Sequence, residues 1–155
     1  MLLSVLVLFT LRANSQDKLK IRQIDSLVQV INQSNLKAQN DSIFQDRPEL
    51  GLSMKTYLTM IVDGNELKKY VNNVNTTSIE KGVSVQMFTS NIFYYNQNQL
   101  IKVEEFANAG DKKHNAEWYY ADDKPLYYTY QSPKSEDRAI FLLTLSKTLL
   151  KQVLK

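Results

Sequence analysis

The chain changes its hydrophobic period once on entering its middle section and again near its end. Over residues 17–35, Ile24, Leu27, Val28 and Ile31 recur at the i, i+3, i+4, i+7 spacing of one helix face, and Leu19 and Ile21 extend the stripe. Asp17 is placed to cap this helix, offering a side-chain oxygen to its first free amides. Residues 40–51 hold proline, glycine and short polar side chains and read as a surface loop pinned by Ile43 and Phe44. Beyond Gly51 the period falls to about two. Residues 54–62 form a strand that breaks at Asp63-Gly64-Asn65, because glycine accepts the positive φ of a tight turn. Residues 66–77 fit a strand or a helix, since Leu67, Tyr70, Val71 and Val74 also match helical spacing; the preceding turn and the closing asparagines and threonines favour a strand. Further strands follow over 83–95, 99–106, 116–121 and 126–131. The last element is a helix opened by Ser132-Pro133-Lys134-Ser135, with either serine available as cap. Glu136 and Asp137 near its start, and Lys147, Lys151 and Lys155 toward its end, suit the helix dipole. Phe141, Leu142, Leu145, Leu149, Leu150, Val153 and Leu154 spread over a broad apolar arc opposite those lysines.

These elements predict one α+β domain over residues 16–155: an N-terminal helix, an antiparallel meander of about five or six strands, and a C-terminal amphipathic helix. An antiparallel sheet can pack one face and leave the other wet, so both helices are expected on one sheet face. Within the meander, YYNQNQLIKV and YYADDKPLYY read as one hairpin unit used twice, Tyr94-Tyr95 answering Tyr119-Tyr120. Consecutive strand residues face opposite ways, so each tyrosine pair puts a ring on both sides. Tyr94, Tyr95, Trp118, Tyr119, Tyr120, Tyr127, Tyr128 and Tyr130 are therefore the candidate binding residues. Two readings of them stay open: cross-strand ring pairs that stabilise the sheet by up to about 1 kcal/mol each, or an exposed aromatic platform for a partner.

Length and charge narrow the classes. A chain of 155 residues supports one core. Its charge of +3 comes from dispersed lysines, without the concentrated basic face of a nucleic-acid binder. The absence of cysteine excludes disulfides, thiolate metal sites, cysteine nucleophiles and a lipid-modified cysteine. Residues 2–11 (LLSVLVLFTL) are too short an apolar run for the roughly 20 residues of a spanning helix. Arg12-Ala13-Asn14-Ser15 follows, the layout of a secretory signal peptide cleaved after Ser15. No basic residue precedes the run, which leaves open a start upstream of Met1 or a weak signal; the competing reading is a buried N-terminal strand or helix. The expectation is an exported protein, periplasmic or secreted, with no stable membrane span after cleavage.

Candidate chemistry is sparse. His114 is the single histidine, in an expected loop over 108–115, and no HxxxH or carboxylate–histidine spacing gives it a partner. Glu104-Glu105 are strand neighbours on opposite faces, and Asp122-Asp123 occupy a turn that favours aspartate. No metal signature, phosphate loop or nucleophile elbow is present, and no cofactor is expected. The phrases YYNQNQLIKV and YYADDKPLYY resemble hairpins of small exported bacterial proteins of unknown function, and the tyrosine-rich hairpins of MORN-like and YD-type repeats. That resemblance covers about forty residues, lacks those repeats' glycines, and implies an antiparallel hairpin array without catalytic residues. The expected function is a non-catalytic binding module that engages a protein or glycan through an aromatic sheet face. A structural or assembly subunit, including a homo-oligomer, is the second reading. A small hydrolase drawing its acids from Glu104, Glu105, Glu117, Asp122 or Asp123 is the third.

Overall fold

The computed structural model describes residues 2–80 and 82–154, with side chains from Ser15 onward except Glu80. Helix α1 (Leu2–Gln33) leads into seven strands, β1 (Ala38–Arg47), β2 (Leu52–Asp63), β3 (Glu66–Glu80), β4 (Val83–Asn96), β5 (Gln99–Ala109), β6 (Lys112–Ala121) and β7 (Lys124–Tyr128), and the chain closes with α2 (Ser135–Val153). The strands stand in one antiparallel sheet in chain order. The α+β meander between two helices is as expected, with seven strands rather than five or six. Residues 66–77 lie within strand β3.

Three local expectations are corrected. The presumed loop over 40–51 is mostly strand β1, with a short 3-10 turn at Pro48–Leu50. Every residue of β1 is exposed, so it shows no apolar alternation, and its ladder with β2 holds it in place. Asp17 does not cap a helix start, because α1 already runs from Leu2; the side chains of the apolar run 2–11 lie outside the described residues. The presumed loop around His114 is a hairpin, in which Gly110 takes a φ of 59° and lets β6 start at Lys112.

The repeated hairpin occurs three times. Gln97-Asn98 and Asp122-Asp123 are two-residue turns with positive φ at both positions, the twist that matches flanking strands. In each unit the return strand skips one residue: Tyr94 pairs with Lys102 and Tyr95 with Leu100, while Tyr119 pairs with Tyr127 and Tyr120 with Pro125. The β2–β3 hairpin repeats this around Gly64-Asn65, with Ile61 opposite Lys69 and Val62 opposite Leu67. Such a bulge leaves ladder groups unpaired. Asn98 Oδ1 accepts the Leu67 amide at 2.9 Å, and its Nδ2 donates to the Asn65 carbonyl at 3.1 Å, clasping two neighbouring turns. Asn98→Ala is expected to cost about 2 kcal/mol, by orphaning the buried Leu67 amide and straining a left-handed position. Asn98→Gly keeps the φ and is expected to cost about half as much; urea melts of both variants measure the difference.

The helices cover opposite faces, which corrects the expectation of one roofed side. Ile24, Val28 and Ile31 of α1 pack on Tyr94, Ile101 and Tyr119. Ala139, Leu142 and Leu149 of α2 pack on Phe93, Tyr95, Leu100, Val103, Trp118 and Tyr120. The cause lies in the tyrosine pairs: Tyr94 and Tyr95 face opposite ways, as do Tyr119 and Tyr120, so burying both rings of a pair takes two covers. Buried Ala139 and Ser146 let α2 approach closely. The Asp122-Asp123 turn ties the two covers together, through Lys20–Asp122 and Lys147–Asp123 contacts of 3.2 Å each. Among the described residues no helix is long and apolar enough to cross a membrane.

Candidate functional site

Five of the eight candidate aromatic residues are core. Tyr94 and Tyr119 lie under α1, and Tyr95, Trp118 and Tyr120 lie under α2, all buried. The open platform expected from them does not exist in this fold, since both of its sides are covered. Tyr127, Tyr128 and Tyr130 retain access. Tyr127 leans on Tyr119 at 6.0 Å, Tyr128 on Trp118 at 5.5 Å, and Tyr130 meets His114 edge-on at 4.7 Å.

These last contacts frame a pocket of about 610 Å³ at the amino end of α2. The register builds its floor: Asn91 of β4 stands opposite Glu105 of β5, and Ala107 of β5 lies between Thr89 and His114. Ala107 is small, so the floor is low there. The wall is the segment 130–134 with the first turn of α2. Ser135 sets that wall, its hydroxyl donating to the Tyr130 carbonyl at 2.7 Å and accepting the Ser132 amide at 2.8 Å. Arg138 reaches down from α2 and grips both oxygens of Glu105, so the two charges answer each other inside the site. A smaller recess of about 210 Å³ beyond this pair shares Asn91 and Arg138.

Two buried polar atoms beside these recesses lack partners among the described residues. One is the indole Nε1 of Trp118, a residue only 1% exposed that lines the larger pocket; the other is Oδ1 of Asn72, which lines the smaller. An unmet buried donor or acceptor costs roughly 1–3 kcal/mol. Trp118 was singled out by sequence as a platform ring. Its N–H, however, is the group with capacity to spare.

The opposite face carries a closed polar network. Lys102 is buried, with its ammonium 3.2 Å from Asp25, 3.3 Å from Glu104 and 3.0 Å from Glu117. Burial alone would lower its pKa; the hydrogen bonds to Tyr119, Glu117 and Asp25 outweigh that and raise it well above the ordinary lysine value. Tyr119 is pushed up to about 12 by burial, against the opposing pull of Lys102. Tyr94 donates to Glu104 at 3.2 Å, and the single hydroxyl proton of Tyr119 is shared between Asp25 at 3.0 Å and Glu117 at 3.2 Å. The acids considered for hydrolysis are thereby spoken for. Glu104 and Glu117 converge on an ammonium, Glu105 holds Arg138 on the far face, and Asp122 and Asp123 hold Lys20 and Lys147. Glu104 and Glu117, opposite each other on β5 and β6, line a recess of about 450 Å³ together with Glu105, and the Lys102 ammonium binds the first two at 3.3 and 3.0 Å. Comparison with protein-family models, curated proteins and solved structures finds no match to this chain.

Proposed function

We propose that this chain is an exported bacterial binding protein without catalytic activity, and that it takes an uncharged, polyhydroxylated ligand of the saccharide class in the pocket beside α2. The observation that carries this reading is a pocket of ligand-holding size lined by Trp118, whose buried indole N–H has no partner among the described residues. The rest of the lining suits the same ligand. Asn91, Thr89, Ser132 and His114 offer donors and acceptors at several angles, Tyr130 supplies an aromatic edge, and Arg138 is already neutralised by Glu105. Lys134 adds an exposed ammonium to the lining, while the Arg138–Glu105 pair and the neutral donors and acceptors around it suit hydroxyl groups. Export rests on the apolar run 2–11 followed by small residues. The hairpin likeness to exported bacterial proteins belongs to the same reading.

Trp118 is the single tryptophan, so its emission reports on the site directly. Titration with hexose, N-acetylhexosamine and uronic-acid oligosaccharides is expected to shift that emission for at least one class. The double variant His114→Ala with Tyr130→Ala leaves the core intact and is expected to weaken that binding ~10-fold or more. An unmoved emission across the panel, or equal affinity in the double variant, defeats the proposal.

A further inference from the structure

We propose that β1 is a self-pairing edge, joining two copies of the chain through antiparallel β1–β1 contact centred on Phe44. A long exposed edge strand is a template for pairing unless something blunts it, such as lysine, proline or a bulge. Strand β1 has none of these inside it: it pairs with β2 over ten residues without interruption, contains no lysine, and meets proline only at Pro48, beyond its end. It also shows apolar side chains to solvent on both faces, Ile43 at 46% and Phe44 at 65% exposure.

One hydrogen bond fixes which backbone groups point outward. The Ser42 amide is taken by its neighbour Asp41 Oδ1 at 2.7 Å, not by β2. Outward and inward amides alternate along an antiparallel edge, so Phe44 and Asp46 also present theirs outward. A two-fold axis at Phe44 then sets Phe44 against its own copy as a hydrogen-bonded pair, and Ser42 against Asp46, for about six backbone bonds in all. The same register places Asp41 opposite Arg47 of the second copy, twice over, so each strand meets its own charge complement. It brings the two Ile43 side chains to diagonal positions on the other face. It also ends where Pro48 has no amide to give. Asp41 thus has two states: holding the Ser42 amide when the edge is free, and answering Arg47 when the edge is filled.

A contact this narrow falls below the roughly 1,200 Å² of standard stable interfaces, so a micromolar dimer is the expectation. Sedimentation of the protein across the micromolar range is expected to show a monomer–dimer equilibrium. Phe44→Lys, at an exposed position, should weaken it ~10-fold or more by setting like charges face to face. Asp41→Arg or Arg47→Asp alone should weaken it ~3- to 30-fold. The two reversals together should restore it to within ~3-fold of the original. Because the chain has no cysteine, Phe44→Cys gives a clean crosslink, and Gln39→Cys, which lies outside the paired span, should give none. A chain that stays monomeric, as it would if the edge took a foreign strand instead, overturns the proposal. So does a dimer indifferent to the charge reversals, or one that crosslinks equally at Gln39→Cys.

Discussion

Above about pH 10 the protein is expected to lose stability steeply, and its tyrosines are the reason. Tyr70, Tyr94, Tyr95, Tyr119 and Tyr120 all have raised pKa values, each through burial first, and they are five of the nine tyrosines in the chain. Tyr119 reaches about 12. Lys102 is raised as well, by hydrogen bonds that outweigh its burial. In every one of these groups the folded chain holds its proton to higher pH than the unfolded chain. The stabilisation is therefore complete below about pH 10 and drains away as pH rises toward the folded values. All six groups pull in the same direction in that window, so their losses reinforce one another. Lys69 opposes the trend, since burial lowers its pKa despite the pull of Glu104, but it is one group against six. Thermal melts should be flat from about pH 7 to 9 and then drop sharply. Phenolate absorbance in the folded protein should lag that of the urea-unfolded chain until the fold opens. Superimposable titrations of the two states would contradict the buried placement of these rings.

What could be read from the sequence follows from where each kind of signal is written. A period of about two marks β2 and β4 through β7, strands with a face against a helix, whereas β3 is told from a helix by the turn before it and the polar residues at its end. Strand β1 has no such face, and its large apolar residues, Ile43 and Phe44, are adjacent and not alternating, so the segment reads as a loop. The Tyr-Tyr units were visible as a repeat, whereas the third copy around Gly64-Asn65 was hidden because Ile61 and Val62 replace the tyrosines. Which face each ring would see was also legible; that both faces would be roofed was not. A helix stripe shows that something is buried, never on which side of a sheet the helix lands. The pocket was out of reach for a similar reason. It depends on Ala107 lying between Thr89 and His114, and on Arg138 descending from α2 to Glu105, contacts between residues far apart in the chain. The spare capacity of the Trp118 N–H is a property of the packed core and leaves no trace in residue order.

Replacing Lys102 by methionine is expected to cost about 2–3 kcal/mol and to loosen α1 before it loosens the sheet. Methionine keeps most of the apolar stem, so the change isolates the ammonium. Without it, Asp25, Glu104 and Glu117 are left around one site with no cation between them. Removing one partner of a fully buried pair costs about 3–5 kcal/mol. Here the carboxylates remain between a third and a half exposed, and solvent screening brings the figure down. The effect should concentrate on α1, because the described part of that helix, from Ser15 onward, buries few large apolar residues and is otherwise held by polar ties: Asp25 to Lys102 and Tyr119, Asn32 to Tyr94 and Lys69, Lys20 to Asp122. Amide exchange should therefore rise first along α1, while β5 and β6 stay protected. Neutralising two of the leftover acids, Glu104→Gln and Glu117→Gln in the Lys102→Met background, should return much of the loss, because the half-exposed Asp25 is then the one carboxylate of the three still charged. If the triple variant is no better than Lys102→Met alone, the damage lies in packing and the ammonium is not what fastens the helix. If exchange rises evenly over sheet and helix, α1 is not a separable cover, and the two faces of the sheet stand or fall together.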